Sequence, residues 1–204
     1  MDMEQARFNM VEQQIRPWNV LDQAVLDSLL RIKREEFVPQ AWRVLALADL
    51  EIPLGFDESM LSPKMEARIV QETRIRNGDH ILEIGTGGGY MTALLAYAAG
   101  DGSVHSVDIV PEFITGAREK LARHGIGNVT LQVGDAARGW SNLVNYDVVV
   151  ITGSLPMLPD AFTKNMKVGG RLLAVIGERP VMETRLITRL GRSEEHTSEL
   201  QSQR

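Results

Sequence analysis

The sequence predicts an α/β fold: a mostly parallel sheet with helices on both faces, preceded by an N-terminal helical extension. Three observations lead there. From His80 onward, apolar runs of strand length alternate with helical stretches. The run Tyr146 to Thr152 (YDVVVIT) is almost wholly apolar, as a central parallel strand covered on both faces should be. The segment His80 to Leu95 (HILEIGTGGGYMTALL) passes from an apolar strand through a glycine turn directly into a helical pattern. That order builds a nucleotide-cofactor pocket at the carboxyl end of a sheet.

Taken in order, residues 4–16 and 21–33 read as two short helices separated by Pro17, and Leu21, Val25, Leu29 and Ile32 form an apolar stripe on the second. An apolar stretch from Val44 to Leu50 and a loop from Pro53 to Met60 follow. Ser62-Pro63 opens a third helix, with serine at the cap and proline in the first turn, and Asn77-Gly78 closes it. Further strands are read at Ser103 to Val107, Val129 to Val133, Tyr146 to Thr152 and Arg171 to Ile176, with helices at Pro111 to His124 and Asp160 to Met166. Met182 to Leu190 alternates like a strand with no partner after it, an exposed edge. The division expected is a substrate-side extension over 1–76, a cofactor domain over 77–191, and a disordered tail over 192–204. The stretch RSEEHTSELQS in that tail reads as an in-frame sequencing adaptor, so a native continuation beyond Gly191 is expected.

The glycine turn identifies the cofactor. A dinucleotide fingerprint places its third glycine at position 90, but Tyr90 stands there, and Gly85, Gly87 and Gly89 fall at alternate positions. Glu83, two residues earlier, brings a carboxylate that repels a pyrophosphate and suits a cationic ligand. S-adenosylmethionine, with its sulfonium, its ammonium and no phosphate, is such a ligand. Asp108 at the tip of the second strand is placed to accept the ribose hydroxyls. Asp135, after Gly134 at the end of the third strand, is placed for the exocyclic amine of adenine. Thr86, Tyr90, Ile109 and Ala136 complete the predicted cofactor contacts, giving a Rossmann-like S-adenosylmethionine-dependent methyltransferase fold.

Composition narrows the partners. The chain has 204 residues, 44% of them hydrophobic, enough for one ordinary core. A net charge of -5 and the absence of a Lys/Arg run argue against a nucleic-acid partner. With no cysteine there is no disulfide framework or thiolate nucleophile. His80, His105 and His124 make no metal-ligand spacing, so no metal is expected. No signal peptide or membrane-spanning run is read, and a cytoplasmic monomer is the expectation.

One set of motifs resembles a family. MVEQQI, REEFVPQAW, LEIPLG, LSPKMEARIVQ, LEIGTGGGY, YDVVVITGSLPMLP and GGRLLAVIGE occur in the order and spacing of the protein-L-isoaspartate O-methyltransferases, from about Met10 to Arg189. The N-terminal pieces are not shared by methyltransferases in general, which makes the set specific. The resemblance implies methyl transfer to the α-carboxylate of isoaspartyl residues in damaged proteins, after which the ester closes to a succinimide that reopens partly to aspartate. Two departures stand out. The family's G-x-T-I-S loop reads FDESMLS here, with Ser62 kept, and its G-D-G reads GDA, with Ala136 in place of glycine.

A carboxylate acceptor is ionised at neutral pH, so the transfer needs no general base, and positioning supplies much of the rate. Ser62 is the candidate catalytic residue, its hydroxyl orienting the acceptor carboxylate or the cofactor. Pro53, Leu54, Gly55 and Leu61, with Thr152 and Gly153, are expected to hold the isoaspartyl substrate. Three other functions fit the same motifs less fully: a methyltransferase acting on another carboxylate or small molecule, a non-catalytic S-adenosylmethionine-binding domain, and a nicotinamide oxidoreductase.

Overall fold

The computed structural model describes residues 2–141, 143–178, 181–191 and 195–200. The chain opens with α1 (Met3–Asn9), capped by the Asp2 carboxylate, and α2 (Gln23–Arg31), capped by Asp22. Between them the single helix expected over 4–16 breaks into a wide turn at Met10–Ile15 and a tight one at Arg16–Trp18. Pro17 has no N–H to continue the ladder, and Asn19 turns the chain at φ 61°. The loop expected over 53–60 is instead a small antiparallel hairpin, β1 (Ile52–Gly55) and β2 (Glu58–Met60), with Ile52 opposite Met60. Helix α3 (Pro63–Thr73) follows and stops at Arg74, which is left-handed.

The α/β part then runs β3 (His80–Ile84), α4 (Tyr90–Ala99), β4 (Ser103–Asp108), α5 (Pro111–Arg123), β5 (Val129–Val133), β6 (Val148–Leu155), α6 (Asp160–Asn165), β7 (Arg171–Glu178), β8 (Val181–Arg189) and β9 (Glu195–Leu200). Strands β3 to β9 form one sheet in the order β5-β4-β3-β6-β7-β8-β9. The pairs from β5 through β7 are parallel, and β8 and β9 run antiparallel to their neighbours. Strand order reverses at β3, so β4 and β6 lie on its two sides and their outgoing loops diverge. That is where an open α/β sheet leaves room for a ligand.

Two hydrophobic cores follow from the alternation of side chains along each strand. Ile81, Val148 and Val150 face the core shared with α4, α5 and the extension, to which Met10, Leu26, Phe37 and Ile69 contribute. Leu82, Ile84, Val149 and Ile151 face a second core closed by Phe162 and Met166 at α6. The extension and the sheet are thus packed through one continuous apolar interior. Among the described residues, no helix is long and apolar enough to cross a membrane.

Disorder over 192–204 and an open edge at β8 are both corrected for residues 195–200. Their backbone pairs with β8, Thr197 opposite Ile187. The reason is the one that makes an open edge hazardous: its unpaired N–H and C=O groups take the next available strand. Residues 192–194 and 201–204 lie outside the described residues.

Glu83 is a second correction. Its odd position sends it, like Ile81, toward α4 instead of into the opening at the strand ends. The side chain is fully buried. Oε2 accepts hydrogen bonds at 2.5 Å from both Thr92 and Ser106, and the Ser106 hydroxyl lies 2.6 Å from that of Thr86. Glu83 therefore supports the glycine turn from beneath. Burial raises its carboxyl to about 8, opposed by the Ser106 and Thr92 bonds.

A carboxyl whose folded pKa is raised binds its proton more tightly in the native chain than in the unfolded one. Its stabilising contribution is complete below the unfolded value of about 4.5 and is lost as pH rises through about 8. Stability of the ligand-free protein should therefore fall between about pH 5 and pH 8, and Glu83→Gln should lessen that slope, the remainder coming from Glu66, whose carboxyl burial also raises to about 8. Urea titrations of both proteins across this range test it; parallel slopes would show that Glu83 titrates normally.

Candidate active site

The site is a cleft at the carboxyl ends of β3, β4 and β6, walled on the far side by the hairpin and the start of α3. Its floor is the turn from Gly85 to Gly89. Gly85 has φ +103°, and a Cβ there would lie 2.6 Å from the Gly153 nitrogen at the end of β6. Only glycine lets the two strand ends approach so closely. The Thr152 hydroxyl donates to the Gly85 carbonyl at 2.9 Å and holds this contact. Gly89, at φ +84°, lies outside the cleft lining; it caps α4, and a side chain there would meet Ala117 of α5 at 2.9 Å.

Asp108 is mostly buried and lines the cleft. Its Oδ2 accepts from the Gly87 N–H at 2.9 Å and its Oδ1 from Val110 N–H at 2.9 Å. The carboxylate is thereby oriented, with lone pairs left on each oxygen. Ile109, Val110 and Phe113 form an apolar wall beside it, with Ala136 buried nearby. Exposed Asp135 accepts from the Ala137 N–H at 2.9 Å, a local turn that points the loop along the cleft. Gly134 is required by Trp140, whose ring would lie 2.9 Å from a Cβ; that tryptophan is a packing residue, edge-on to His105.

On the far side the hairpin lies over the turn, with Leu54 Cδ1 3.1 Å from where a Gly87 Cβ would stand. Leu54 and Leu61 line the cleft as expected, whereas Pro53 and Gly55 lie outside its lining on the exposed side of the hairpin. Ser62 is also corrected. It occupies the cap position of α3, its carbonyl accepting from Met65 and Glu66, but its side chain makes no cap bond and does not line the cleft. Proline at the next position holds the chain so that the cap is made by backbone alone. The serine that does line the cleft is Ser59, on β2. Thr86, Gly87, Tyr90, Thr152 and Gly153 line it as well.

Two residues not anticipated from sequence set this wall, one lining it and one buried behind it. Glu66 lines the cleft at 1% exposure, and its Oε2 accepts from Arg34 Nε at 3.0 Å. Arg34, entirely buried, also donates to the carbonyls of Leu61 at 2.5 Å and Ala46 at 3.1 Å. Burial pushes the Glu66 carboxyl up and Arg34 pulls it down. The signal available in the sequence was Glu66 itself, an acid in register with Ile69, Val70 and Thr73 on the inward face of an amphipathic helix.

The lining chemistry identifies what the cleft can hold. Among the described residues it carries the carboxyls of Glu58, Glu66, Asp108 and Asp135 and no Lys, Arg or His. Such a wall disfavours a pyrophosphate and favours a cation. The carboxylate at Asp108 and the apolar wall from Ile109 to Phe113 suit a nucleoside, and the buried, unpaired Tyr90 hydroxyl awaits a polar partner. These groups fit S-adenosylmethionine. Among the described residues no cluster of side chains is suited to a metal ion. Replacing Gly85 by alanine should cost about 1–3 kcal/mol of stability by strain at positive φ and contact with Gly153, read by denaturant titration; an unchanged midpoint would show that the strand ends can part.

Known proteins agree with this geometry. The family described as protein-L-isoaspartate(D-aspartate) O-methyltransferase matches residues 5–203. A protein-L-isoaspartate O-methyltransferase of Methanoculleus marisnigri is 37% identical over 189 residues, covering 92% of this chain and 85% of its own. One from Ignicoccus hospitalis is 33% identical over 179 residues, covering 87% of this chain and 85% of its own. A solved structure of a protein-L-isoaspartate O-methyltransferase superposes with a TM-score of 0.77 at 25% identity, over 90% of this chain and 60% of that one. A putative one from Plasmodium falciparum, in complex with S-adenosyl-L-homocysteine, shares the fold at a TM-score of 0.78 and 16% identity, covering 98% of this chain and 94% of its own. A cleft built for a cationic nucleoside, reached through the same order of motifs along nearly the whole chain, places this protein in the protein-L-isoaspartate (D-aspartate) O-methyltransferase family.

Proposed function

We propose that the chain methylates the α-carboxylate of isoaspartyl residues in damaged proteins, using S-adenosylmethionine. The observation that carries this reading is the acidic, cation-free cleft at the switch point of the sheet, in a chain of this family. When bound, the cofactor supplies an electrophilic methyl group on a positively charged sulfur. Asp108 takes the ribose hydroxyls, the wall from Ile109 to Phe113 covers the base, and Asp135 takes its amine. Gly85 and Gly87 let the backbone come close to the ligand.

The acceptor carboxylate enters between the hairpin and the end of β6. In this cleft no lysine, arginine or histidine of the lining opposes its negative charge, so the acidic walls disfavour an anion until the positively charged cofactor is seated. Binding is therefore ordered, cofactor first. A carboxylate oxygen forms the new bond to the methyl carbon as the carbon–sulfur bond breaks and its electron pair stays on sulfur. No proton moves, and no residue is needed as a base. The chain's contribution is alignment in a partly closed, apolar-roofed space. Ser59 takes over the acceptor-orienting role first assigned to Ser62, with Leu54, Leu61, Thr152 and Gly153 bordering the acceptor. The protein works as a monomer in the cytoplasm, a reading supported by its acidic charge and ordinary composition.

Incubation of the full chain with labelled S-adenosylmethionine and matched isoaspartyl and aspartyl peptides tests the reaction. Base-labile label released as volatile methanol from the isoaspartyl peptide alone is expected; transfer to neither peptide, with cofactor binding intact, would turn the assignment toward another acceptor. Asp108→Ala should weaken cofactor binding about 10- to 100-fold, the loss of charge-assisted bonds to the ribose, measured by calorimetry. Ser59→Ala should raise KM for the isoaspartyl peptide with the cofactor affinity unchanged, while Ser62→Ala leaves both near wild type. The reverse pattern would return the role to Ser62.

A further inference from the structure

Between β5 and β6 the described residues form no α-helix; the link over 134–147 holds only the short turn Leu143–Asn145. That link carries Gly134, Asp135 and Ala136 into the cleft, so its shape must be held by other means. A row of polar side chains on the sheet supplies them. His105, half-buried on β4, is engaged through both ring nitrogens: Nε2 lies 3.0 Å from Gln132 Oε1 on β5, and Nδ1 lies 2.8 Å from the Tyr146 hydroxyl just before β6. An amide oxygen can only accept, so Nε2 carries the proton and Nδ1 accepts from Tyr146. The imidazole is thereby fixed in one tautomer and one orientation. Burial pushes the Tyr146 phenol up, which keeps it a donor, and a hydrogen bond with Trp140 opposes this. Trp140 stands edge-on to the imidazole at 5.8 Å, and its Cη2 lies 2.9 Å from where a Gly134 Cβ would be. The indole therefore fills the space between His105 and the backbone just before Asp135. Apolar side chains could fill that space and still slide, whereas a chain of hydrogen bonds satisfied at each member specifies one arrangement.

We propose that Trp140, held by the Gln132–His105–Tyr146 chain, is a positioning residue that sets Asp135 at bonding distance from the adenine amine and so makes the cleft selective for adenine. Asp135 is exposed, and its bond to the Ala137 N–H is made within the loop, which fixes the turn but not its distance from the sheet. The Gly134 N–H donates to the Asp108 carbonyl at 2.9 Å and the Gly139 N–H to that of Ala136 at 3.1 Å. These bonds tie the start of the loop and close its turn, and leave its height to the indole packed against Gly134. None of the four side chains lines the cleft, so each acts through the loop. A carboxylate accepts from an amine and repels a carbonyl oxygen, so Asp135 distinguishes adenine from hypoxanthine only while it stays within hydrogen-bond reach. The proposal rests on S-adenosylmethionine being the cofactor and on Asp135 taking its amine.

Calorimetry on the full chain with two ligands reads this selectivity: S-adenosylhomocysteine, and S-inosylhomocysteine, which bears a carbonyl oxygen in place of the amine. Wild type should prefer the adenine ligand about tenfold or more. Trp140→Leu and Tyr146→Phe should each cut that preference about fivefold by weakening S-adenosylhomocysteine, with S-inosylhomocysteine within about twofold of wild type. In an Asp135→Ala background, where the preference is already lost, Tyr146→Phe should change neither affinity. Equal losses for both ligands would mean that the cluster only supports the fold, and an unchanged preference in both variants would mean that the loop is set elsewhere; each overturns the proposal. Should Trp140→Leu fail to fold, Tyr146→Phe, which removes only a hydroxyl, decides alone. A wild-type protein that binds both ligands alike would instead overturn the role of Asp135 beneath the proposal, and one that binds neither would overturn the cofactor.

Discussion

The buried Arg34–Glu66 pair is the joint on which the rest of the molecule turns. One guanidinium with no solvent exposure reaches Glu66 on α3, the Leu61 carbonyl after the hairpin, the Ala46 carbonyl in the extension and the face of Tyr90 on α4. Breaking a buried pair by removing one partner typically costs about 3–5 kcal/mol, because the remaining charge stays without compensation. Here the loss is geometric too. The hairpin roof, the cleft wall and the first turn of α4 are all referred to this one side chain. A second buried pair, Arg7 with Glu35, joins α1 to the residue beside Arg34, so the extension is locked to the cofactor motif through charge as well as apolar packing.

The same arrangement explains how an acidic cleft can serve a reaction of an anion. Glu66 is balanced by Arg34, and Asp108 is engaged by two backbone N–H groups, so neither presents a bare charge to the incoming acceptor. The walls remain free of cations, which leaves the sulfonium as the attractive charge at the reacting carbon. Electrostatic attraction is thereby concentrated where the bond forms. A lysine or arginine in this lining would compete for the acceptor carboxylate and hold it away from the methyl group.

Beneath the cleft, the hydroxyls of Thr86, Ser106 and Thr92 connect the glycine turn to Glu83. A fully buried carboxyl there looks wasteful until its neighbours are counted. It holds the Thr92 and Ser106 hydroxyls directly and, through Ser106, the Thr86 hydroxyl of the turn itself. Lys120 of α5 adds a tie from the outside, donating to the Gly88 carbonyl at 3.2 Å and to that of Phe37 at 2.8 Å. The turn is held from below, from the side and from the extension.

The parallel strands, the glycine turn, and the places of Asp108 and Asp135 were legible in the sequence because each depends on local chemistry: side-chain period, positive φ, and a carboxylate at a strand tip. Glu83 was read in the right place with the wrong direction, since its proximity to the glycines is visible in the sequence while the face it takes depends on the register of the whole sheet. Ser62 was singled out over Ser59 because its cap signature is local, whereas the hairpin that turns Ser59 into the cleft forms through the pairing of Ile52 with Met60 and cannot be seen in a loop-like string. The tail looked disordered by composition, yet 195–200 pair with β8 because an open edge accepts the strand nearest to it. By itself the sequence determined the fold class, the cofactor and the family, which rest on spacing along the chain. Only the tertiary structure decided which further side chains shape the cleft: Glu66 on its wall is held by Arg34 from a separate segment, and a contact between distant segments leaves no periodic mark in either.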